Sequence, residues 1–501
     1  MDRRIFGPVR RGRALAALLA AALALAPPPA VAQIDNLPRL GDPVADDLSP
    51  LAERRLGESI MREVRRDPAY LDDAELADYL NRIGAPLAAT PAAGGLTIEF
   101  FAIADGSINA FALPGGHIGV HSGLLATAET ESELAAVLAH EIGHVSQRHV
   151  ARMLAQQKQA SYVMLGALAL AMLAARSNPQ AAMGGAMLGT EVARNSVMSF
   201  SREAEREADR VGFEILRQSG FDTQAIVSFF VRLQTATRLY ESNAPVYLRT
   251  HPLTGERIGD MQVRNRETRY RQRADSIEFH LLRARLRATG DASLEGRRTA
   301  RALFERQVRD SPKASAAPWY GLASVAAAQR DWARVDTALA QAQAVAGGPH
   351  PYFERLAADS RLAAGDARGA AERARRGLAR FPDSRGLARS LGEALVASSQ
   401  PQEAVRVLDE LLVAWRGDAR LWQHLARAHE ALGQRARAHY ASGEAYALLG
   451  SPLTAVEQLR LAQRAGDADF YTGSVIDARL RELQADALRE LEETRQRAQQ
   501  R

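Results

Sequence analysis

Apolar residues recur at helical spacing along the segment that follows residue 47. Side chains three or four positions apart share one face of a helix, and a break near Pro68 separates two such groups. The first group is Leu51, Leu56, Ile60 and Val64, and the second is Leu76, Tyr79, Leu80 and Ile83. This pattern predicts two amphipathic helices between residues 47 and 89.

Three short segments rich in β-branched and aromatic residues come next. They are residues 96–101, 110–113 and 117–120, and the turn sequence Pro114-Gly115-Gly116 separates the last two. Alternation of this kind, bounded by Gly and Pro, is typical of strands joined by a turn. We therefore predict a small β-sheet here.

A helix is predicted directly after these strands. Thr130 is followed three residues later by Glu133, which is the capping-box pattern of a helix N-terminus. Apolar residues then continue at helical spacing to about His149. Gly143 lies inside this helix, where a stronger helix former would be more favourable by roughly 1 kcal/mol. The glycine therefore predicts close approach of another backbone or of a ligand.

From about residue 276 the chain becomes a series of Ala-, Arg- and Leu-rich segments with a regular period. Trp319, Phe353, Leu387 and Trp422 stand 34, 34 and 35 residues apart, and each opens an amphipathic helix. Small residues suited to close packing mark the second helix of each unit: Ala338, Ala342, Ala370, Ala371, Ala404 and Ala438. This period is typical of tetratricopeptide repeats, which stack into a solenoid. An irregular helical bundle is the alternative.

The N-terminal sequence has the pattern of an export signal. An Ala/Leu run over residues 14–26 follows a basic segment, and Ala30-Val31-Ala32 offers a cleavage site. We predict a signal peptide at residues 1–32, an extended lead-in at 33–47 and a periplasmic location. The apolar segment 160–175 is short for a membrane span, which needs about 20 residues. It is predicted to be a buried or groove-lining helix, with peripheral membrane contact as the alternative.

Composition narrows the chemistry. The 501 residues include no cysteine, which excludes disulfides, thiolate metal ligands and a catalytic thiol. Any metal must therefore be bound by histidines and carboxylates. The formal net charge of +5 would admit nucleic acid as a partner of an intracellular protein, but export argues against nucleic acid.

Residues 140–144 read His-Glu-Ile-Gly-His. On a helix, His140 and His144 share one face and can direct two imidazole nitrogens at one metal ion, with Glu141 beside the remaining positions. This arrangement is typical of zinc peptidases, in which the glutamate is the general base. A catalytic zinc usually takes three protein ligands and a water, so one more ligand is needed.

The third ligand has several candidates. A metzincin would need Gly at 147 and His at 150, whereas the chain has Gln147 and Val150. At 100° per residue, His149 falls on the opposite helix face from His140, which predicts a surface or second-layer histidine. A separate helix is the other source, and residues 201–209 (Ser-Arg-Glu-Ala-Glu-Arg-Glu-Ala-Asp) provide several carboxylates.

The combination of HEIGH with FSREAEREAD about sixty residues later resembles the gluzincin family that contains the CAAX prenyl proteases, the HtpX heat-shock protease and the periplasmic BepA-type proteases. The resemblance implies that Glu205 is the third zinc ligand and that Asp209 orients a zinc-binding histidine. Glu203 and Glu207 are then expected to be solvated charges.

Two further segments match the same family. Asn109, Ala110 and Phe111 begin Asn-Ala-Phe-Ala-Leu-Pro-Gly-Gly, which resembles the edge-strand region along which an extended peptide would pair. His251 begins a His-Pro segment that also matches. His251 either caps a loop or occupies or gates the open position of the zinc.

Export signal, gluzincin domain and repeats together resemble BepA-type proteins over nearly the whole mature chain. The implied fold is mainly α: a zincin-type metallopeptidase domain with a small β-sheet at 48–270, a tetratricopeptide solenoid at 271–486 and a charged tail at 487–501. The implied activity is hydrolysis of peptide bonds in misassembled outer-membrane proteins, with one Zn²⁺ per chain and repeats that dock substrate or the β-barrel assembly machinery. The alternatives are a zinc-stabilised chaperone or adaptor and an integral-membrane protease.

Overall fold

The computed structural model describes residues 48–156, 201–239 and 246–499. The predictions for the signal peptide, the lead-in and the segment 160–175 concern residues outside these ranges. Within the ranges, none of the helices combines the length and apolar character that crossing a membrane requires.

Two helices open the described chain, as the apolar pattern predicts. Helix α1 spans Pro50–Arg66 and α2 spans Ala74–Ala88. The side chains of Ser49 and Asp73 cap them by accepting hydrogen bonds from the backbone N–H groups of Ala52 and Leu76. The break between the helices lies where Pro68 predicts it.

The predicted strands form a three-stranded sheet. Strands β1 (Glu99–Ile103), β2 (Ala110–Leu113) and β3 (His117–His121) lie in the order β1-β3-β2, with β3 parallel to β1 and antiparallel to β2. The turn between β2 and β3 contains Gly115 and Gly116 at φ of 80° and 91°, a conformation that side chains with a Cβ rarely adopt. In the described sheet, β2 is thus an edge strand.

Further helices surround the sheet in the described parts of residues 122–267. They are α3 (Ser122–Thr127), α4 (Glu131–Ser146), α5 (His149–Gln156), α6 (Arg202–Gln218), α7 (Gln224–Leu239), α8 (Val246–Thr250) and α9 (Gly255–Glu267). The Thr130 hydroxyl caps α4 by accepting from the backbone N–H of Glu133, 3.2 Å away. The Glu133 carboxylate accepts from the N–H of Glu129, at 2.7 Å. The capping pattern therefore predicts the start of α4 correctly.

Helix pairs follow, and from residue 317 onward they begin 34 residues apart, as the sequence period predicts. They are α10 (Ile277–Thr289) with α11 (Leu294–Asp310), α12 (Ala317–Ala328) with α13 (Trp332–Ala346), α14 (Pro351–Ala363) with α15 (Ala367–Arg380), α16 (Arg385–Ala397) with α17 (Pro401–Ala414), and α18 (Ala419–Ala431) with α19 (Arg435–Leu448). Helices α20 (Pro452–Arg464) and α21 (Phe470–Gln499) end the solenoid. The predicted fold class, a small-sheet domain followed by an α-solenoid, is confirmed.

The hydrophobic core is continuous across residue 270. Phe279 of α10, Tyr320 of α12 and Phe353 of α14 belong to the same buried cluster as Leu124 of α3 and Leu138 of α4. The boundary at 270 stays a prediction, since the first repeats share a core with the segment before them.

The solenoid curves back onto the N-terminal helices. Arg66 of α1 donates hydrogen bonds to the carbonyl of Gly450 and, at 3.2 Å, to the hydroxyl of Ser451 in the turn before α20. A cavity of about 950 Å³ lies inside the curve, with Asp72, Arg389, His424 and Tyr446 among its lining residues.

Candidate metal centre

The centre forms where α4 and α6 cross at close range. A Cβ on Gly143 would lie 2.8 Å from the carbonyl oxygen of Ala208, and one on Gly212 would lie 3.0 Å from the Cα of His140. The close backbone approach predicted from Gly143 is therefore confirmed. Two facing glycines let α6 bring its carboxylates against the histidines of α4.

Four buried side chains bring one potential ligand atom each to this crossing. His140, His144, Glu205 and His251 have donor atoms that all lie within 4.8 Å of one another. The Nε2 atoms of His140 and His144 are 3.0 Å apart, and the Nε2 of His144 is 3.3 Å from the Oε1 of Glu205. The structure thus brings together the three residues that the motif and the resemblance single out as ligands.

His251 lies against the same group. Its Nδ1 is 3.0 Å from the Oε1 of Glu205 and 3.3 Å from the Nε2 of His140. The ring stacks on Tyr247 at a centroid distance of 4.6 Å, and the N–H of Tyr247 donates to the carbonyl of Ile108 at 3.2 Å. Helix α8 therefore ties His251 to the segment just before β2.

The donor set fits a metal cation. The Nδ1 of His140 is 3.0 Å from Asp209, and the Nδ1 of His144 is 2.9 Å from the Nδ1 of His149. When these two Nδ1 atoms carry protons, both Nε2 atoms present lone pairs, and the Glu205 carboxylate can likewise only accept. Three atoms that present lone pairs to one another need a positive charge between them. Imidazole nitrogen and carboxylate oxygen are ligand atoms that metals such as zinc bind.

The charges and hydrogen bonds of the protein itself also favour a cation at this centre, because they shift the pKa values of its side chains. The charges and hydrogen bonds of His251, His140 and His144 outweigh burial and hold the pKa of Glu205 well below its usual value. Burial lowers the pKa of His140, but hydrogen bonds with Asp209 and Glu205 raise it to about 10. Glu205 is therefore anionic, as a carboxylate ligand of a metal cation must be.

Arg257 holds the carboxylates in place. Its guanidinium donates to the Oδ2 and Oδ1 of Asp209 at 2.6 and 2.8 Å, and its NH1 lies 2.8 Å from the Oε2 of Glu205. Burial raises the pKa of Asp209, but hydrogen bonds with Arg257 and His140 bring it below its usual value. Sequence reasoning missed this arginine, although its position six residues after His251, in the matching His-Pro segment, was the available signal.

Glu141 lies beside the ligand group. Its side chain is fully buried, its Oε1 is 3.5 Å from the Nε2 of His251, and burial raises its pKa. The backbone N–H of Ala112 in β2 offsets part of that rise. Glu141 therefore lies between the ligand atoms and the edge strand.

The predicted substrate-strand residues lie at this edge with their side chains buried. Asn109, Ala110 and Phe111 are all buried, and Phe111 makes an edge-to-face contact with Phe101 at 6.0 Å. Any contact with an extended peptide would therefore come from their backbone rather than from their side chains.

One prediction about a polar residue needs correction, and another is narrowed to one of its two alternatives. His149 is buried, with its Nδ1 2.9 Å from the Nδ1 of His144, so it is the second-layer and not the surface histidine; its Nε2 is 3.0 Å from the Oε2 of Glu207. The extrapolated helix fails because α4 ends at Ser146 and Arg148 has a left-handed φ of 51°, which turns the chain back. Glu207 therefore accepts a hydrogen bond from His149 and pairs with Arg152, and is not simply a solvated charge, whereas Glu203 is exposed and pairs only locally with Arg206 within the described chain.

A helix that presents His-Glu-x-x-His, crossed by a second helix that presents a buried glutamate, defines a metallopeptidase of the gluzincin type. Residues 74–265 match the model of peptidase family M48. The beta-barrel assembly-enhancing protease of Escherichia coli (strain K12) is 33% identical over 465 residues, which cover 92% of each chain, and that of Yersinia pestis is 31% identical over 92% of this chain and 93% of its own. The chain belongs to peptidase family M48, among the relatives of the beta-barrel assembly-enhancing proteases, and is a metalloprotease.

A solved structure matches the repeats only weakly. The crystal structure of YrrB, described as a tetratricopeptide protein with an unusual peptide-binding site, aligns with 40% of this chain and 92% of its own at 15% identity. Its TM-score is 0.23.

Proposed function

We propose that this protein is a periplasmic zinc metalloendopeptidase that hydrolyses peptide bonds of misassembled outer-membrane proteins. The observation that carries the catalytic part is the convergence of His140, His144 and Glu205 with Glu141 beside them, all buried. The substrate class rests on the names of relatives that align over almost the whole chain. The location rests on the export signal at residues 1–32.

The chemistry follows from the positions of the side chains. His140, His144 and Glu205 would bind Zn²⁺, which supplies a Lewis acid that polarises the scissile carbonyl and acidifies water towards a pKa of about 7. Glu141 accepts the proton of the attacking water and passes it to the leaving amine. Its buried environment favours proton uptake, because burial raises the pKa of a carboxylate. Asp209 accepts from His140 and keeps its Nε2 directed at the ligand group.

Strand β2 is the proposed guide for the substrate. It pairs with β3 on one side, and its other edge lies next to Glu141. An extended peptide added to this edge would bond the backbone of Ala110, because the carbonyl of Asn109 already accepts from the N–H of His121 in β3 and the backbone groups of successive strand residues point to opposite edges. Sequence preference would then be weak, because backbone groups carry most of the contact.

We further propose that His251 gates the centre. Its ring is 1% exposed and lies within 3.5 Å of atoms of Glu205, His140 and Glu141. The ring therefore fills the space beside the ligand atoms that a substrate carbonyl would need. His251→Ala should therefore raise the basal peptidase rate. Unchanged activity with unchanged zinc content would contradict the gate.

The cavity inside the solenoid is the proposed docking site for substrate or for the β-barrel assembly machinery. Its lining is polar, with Arg427, Gln423 and Glu430 able to bond an extended chain. A photo-crosslinker at position 423 should capture unfolded outer-membrane protein. Capture at an exposed outer site such as Arg306 to the same extent would refute docking in the cavity.

The decisive experiment is degradation of casein by the purified mature chain. Zinc-loaded wild type is compared with chelated protein and with Glu141→Gln, while bound zinc is quantified. Loss of general-base catalysis predicts a fall of at least about 100-fold for Glu141→Gln. Glu203→Gln, an exposed change on the same helix as Glu205, is the matched control and should retain full activity.

Two outcomes would overturn the proposal. One is a Glu141→Gln variant as active as wild type. The other is an inert wild type that binds zinc stoichiometrically and stays inert after His251→Ala, which would favour a zinc-stabilised chaperone or adaptor instead.

A further inference from the structure

The two histidines of the motif are supported in different ways. The Nδ1 of His140 meets a carboxylate directly, at 3.0 Å from the Oδ1 of Asp209. The Nδ1 of His144 instead meets a second imidazole, at 2.9 Å from the Nδ1 of His149. The carboxylate comes one step later, because the Nε2 of His149 is 3.0 Å from the Oε2 of Glu207. His144 thus reaches a negative charge through an intervening ring.

The positions of the protons on the rings of His144 and His149 follow from one requirement. If the Nε2 of His144 is a ligand atom, its Nδ1 carries the proton and donates to the Nδ1 of His149. That atom of His149 must then be an acceptor, so the proton of His149 lies on Nε2 and is donated to Glu207. Each hydrogen bond fixes the tautomer of the ring before it. The direction of donation therefore runs from the ligand towards Glu207.

Local backbone geometry builds this arrangement. Arg148 has a φ of 51°, which reverses the chain after α4 and turns His149 back against His144. The Arg148 side chain secures the turn by donating to the Oε2 of Glu53 at 3.1 Å and to the carbonyl of Leu48 at 2.6 Å. A non-glycine residue in a left-handed conformation persists where its surroundings hold it there, and such sites cluster at functional positions.

We call the hydrogen-bonded series from His144 through His149 to Glu207 the relay. Its last two members differ in their exposure to solvent. The His149 side chain is 1% exposed, whereas that of Glu207 is 40% exposed and also pairs with Arg152 at 3.0 Å. The ring is therefore packed and directional, and the carboxylate that terminates the relay lies at the surface. A change at Glu207 can be made without opening the core.

We propose that His149, terminated by Glu207, is a positioning residue that holds His144 in its metal-binding tautomer and orientation. This inference rests on the proposed zinc site and adds to it a support that the His-Glu-x-x-His motif does not contain. Removal of a comparable hydrogen-bond partner of a metal-binding histidine lowers metal affinity about 10–100-fold. The same loss is expected here, with kcat reduced more than KM is changed.

The test measures zinc affinity by competition with a chromogenic chelator, alongside kcat and KM on a peptide. His149→Phe keeps the ring and removes both hydrogen bonds, and is expected to weaken zinc binding about 10–100-fold. His149→Gln can accept and donate through its amide and should recover part of the loss. Glu207→Ala should weaken zinc binding by less, and Glu203→Ala, on the same helix, should leave it unchanged.

A purely structural role predicts a different result. It would lower the melting temperature of the metal-free His149→Phe variant while zinc affinity stays at the wild-type value, and that result would overturn the proposal. If His149→Phe does not fold, Glu207→Ala decides, and zinc affinity equal to that of Glu203→Ala would refute the relay. Failure of the proposed function looks different, since wild type itself would then bind no zinc or Glu141→Gln would remain active.

Discussion

The beginning and the far end of the solenoid contact the rest of the described chain through different interactions. Near its beginning, α10, α12 and α14 share the hydrophobic core of the segment that bears the metal centre. Near its far end, α16, α18 and the turn at Gly450 make contact through charged side chains. One contact depends on apolar burial, and the other on ion pairs that water and salt can replace.

The near contact also contains a cluster of buried hydrogen bonds and ion pairs. Glu131, at the start of α4, accepts from the hydroxyls of Tyr79 and Ser276 at 3.0 and 2.5 Å. Arg285 of α10 lies 2.9 Å from Asp73 and 2.6 Å from Glu75 at the start of α2. The first repeats therefore brace the N-terminus of the helix that carries His140 and His144.

The far contact consists mainly of arginines around two aspartates. Asp72 lies 2.8 Å from the NH1 of Arg389 and 2.7 Å from the Nε of Arg420, and Asp78 lies 2.7 Å from Arg385. Partly exposed pairs of this kind contribute about 0–1 kcal/mol each. The comparison indicates that the beginning of the solenoid is integral to the peptidase fold, whereas its far end is held weakly over the cavity.

The largest expected effect is at the near contact. Phe279 is fully buried in the shared core, and Phe279→Ala should lower the free energy of unfolding by about 3–5 kcal/mol through lost burial and a cavity. Urea unfolding followed by circular dichroism measures this loss. Phe470→Ala, at a position 93% exposed, is the control and should change stability by no more than about 0.5 kcal/mol. Equal effects at both positions would contradict a shared core.

The buried ion pairs of the near contact come second. Arg285→Met leaves Asp73 and Glu75 with less compensation, and burial already raises the pKa of Glu75. Breaking a buried pair costs about 3 kcal/mol or more, and retained contacts with Arg355 place this variant at the low end. A second change, Glu75→Gln, should restore part of the stability. If the double variant is no more stable than Arg285→Met alone, the charge argument fails.

The third effect is a pH dependence at the far end. Burial, together with Arg427, Arg420 and Arg389, lowers the pKa of His424 to about 3. Between pH 6.5 and 3 the unfolded chain binds a proton that the folded chain does not, so stability falls as the pH falls through this window. The loss amounts to about 2 kcal/mol between pH 6.5 and 5, at about 1.4 kcal/mol per pH unit.

His424→Gln tests this, because glutamine can still accept from Arg427 but cannot be protonated. The difference in unfolding free energy between variant and wild type should shrink or reverse as the pH falls from 6.5. A difference that does not depend on pH would show that His424 titrates normally in the folded protein.

The smallest effect is expected at Asp72. Asp72→Asn weakens its pairs with Arg389 and Arg420 and should cost no more than about 1 kcal/mol. The difference from wild type should vanish between about 0.1 M and about 1 M NaCl, over which the screening length falls from about 10 to about 3 Å. Hydrogen exchange in α18 measured at both salt concentrations would show whether the far contact alone responds. A salt-independent loss in α10 would contradict the comparison.

Much of the molecule could be predicted from short stretches of sequence. Thr130 with Glu133 marks the start of α4, the residues from Trp319 to Trp422 mark the repeat, and Gly143 marks a close approach that Ala208 makes. These features depend on residues a few positions apart or on a simple period. Local periodicity and helix capping depend on residues that are close in sequence, so they are the same before and after the chain folds.

Other features could not be predicted in this way. The position of His149 was extrapolated along a helix that ends early, because one left-handed residue, Arg148, reverses the chain. The hydrogen bond of His149 to Glu207 and the contact of Arg257 with Asp209 join residues that are distant in sequence. From the sequence alone, a solvated charge on α6 cannot be distinguished from one such as Glu207, which contacts the buried ring of His149.

The sequence by itself determined the helical elements, the small sheet, the repeat and the residue types capable of binding a metal, because each is encoded by nearby residues. The tertiary structure alone decided which carboxylate meets which histidine, that His149 stands behind His144, and that the solenoid returns to α1. These are long-range contacts, and they depend on how close two backbones can approach and on which direction the chain takes after each helix ends.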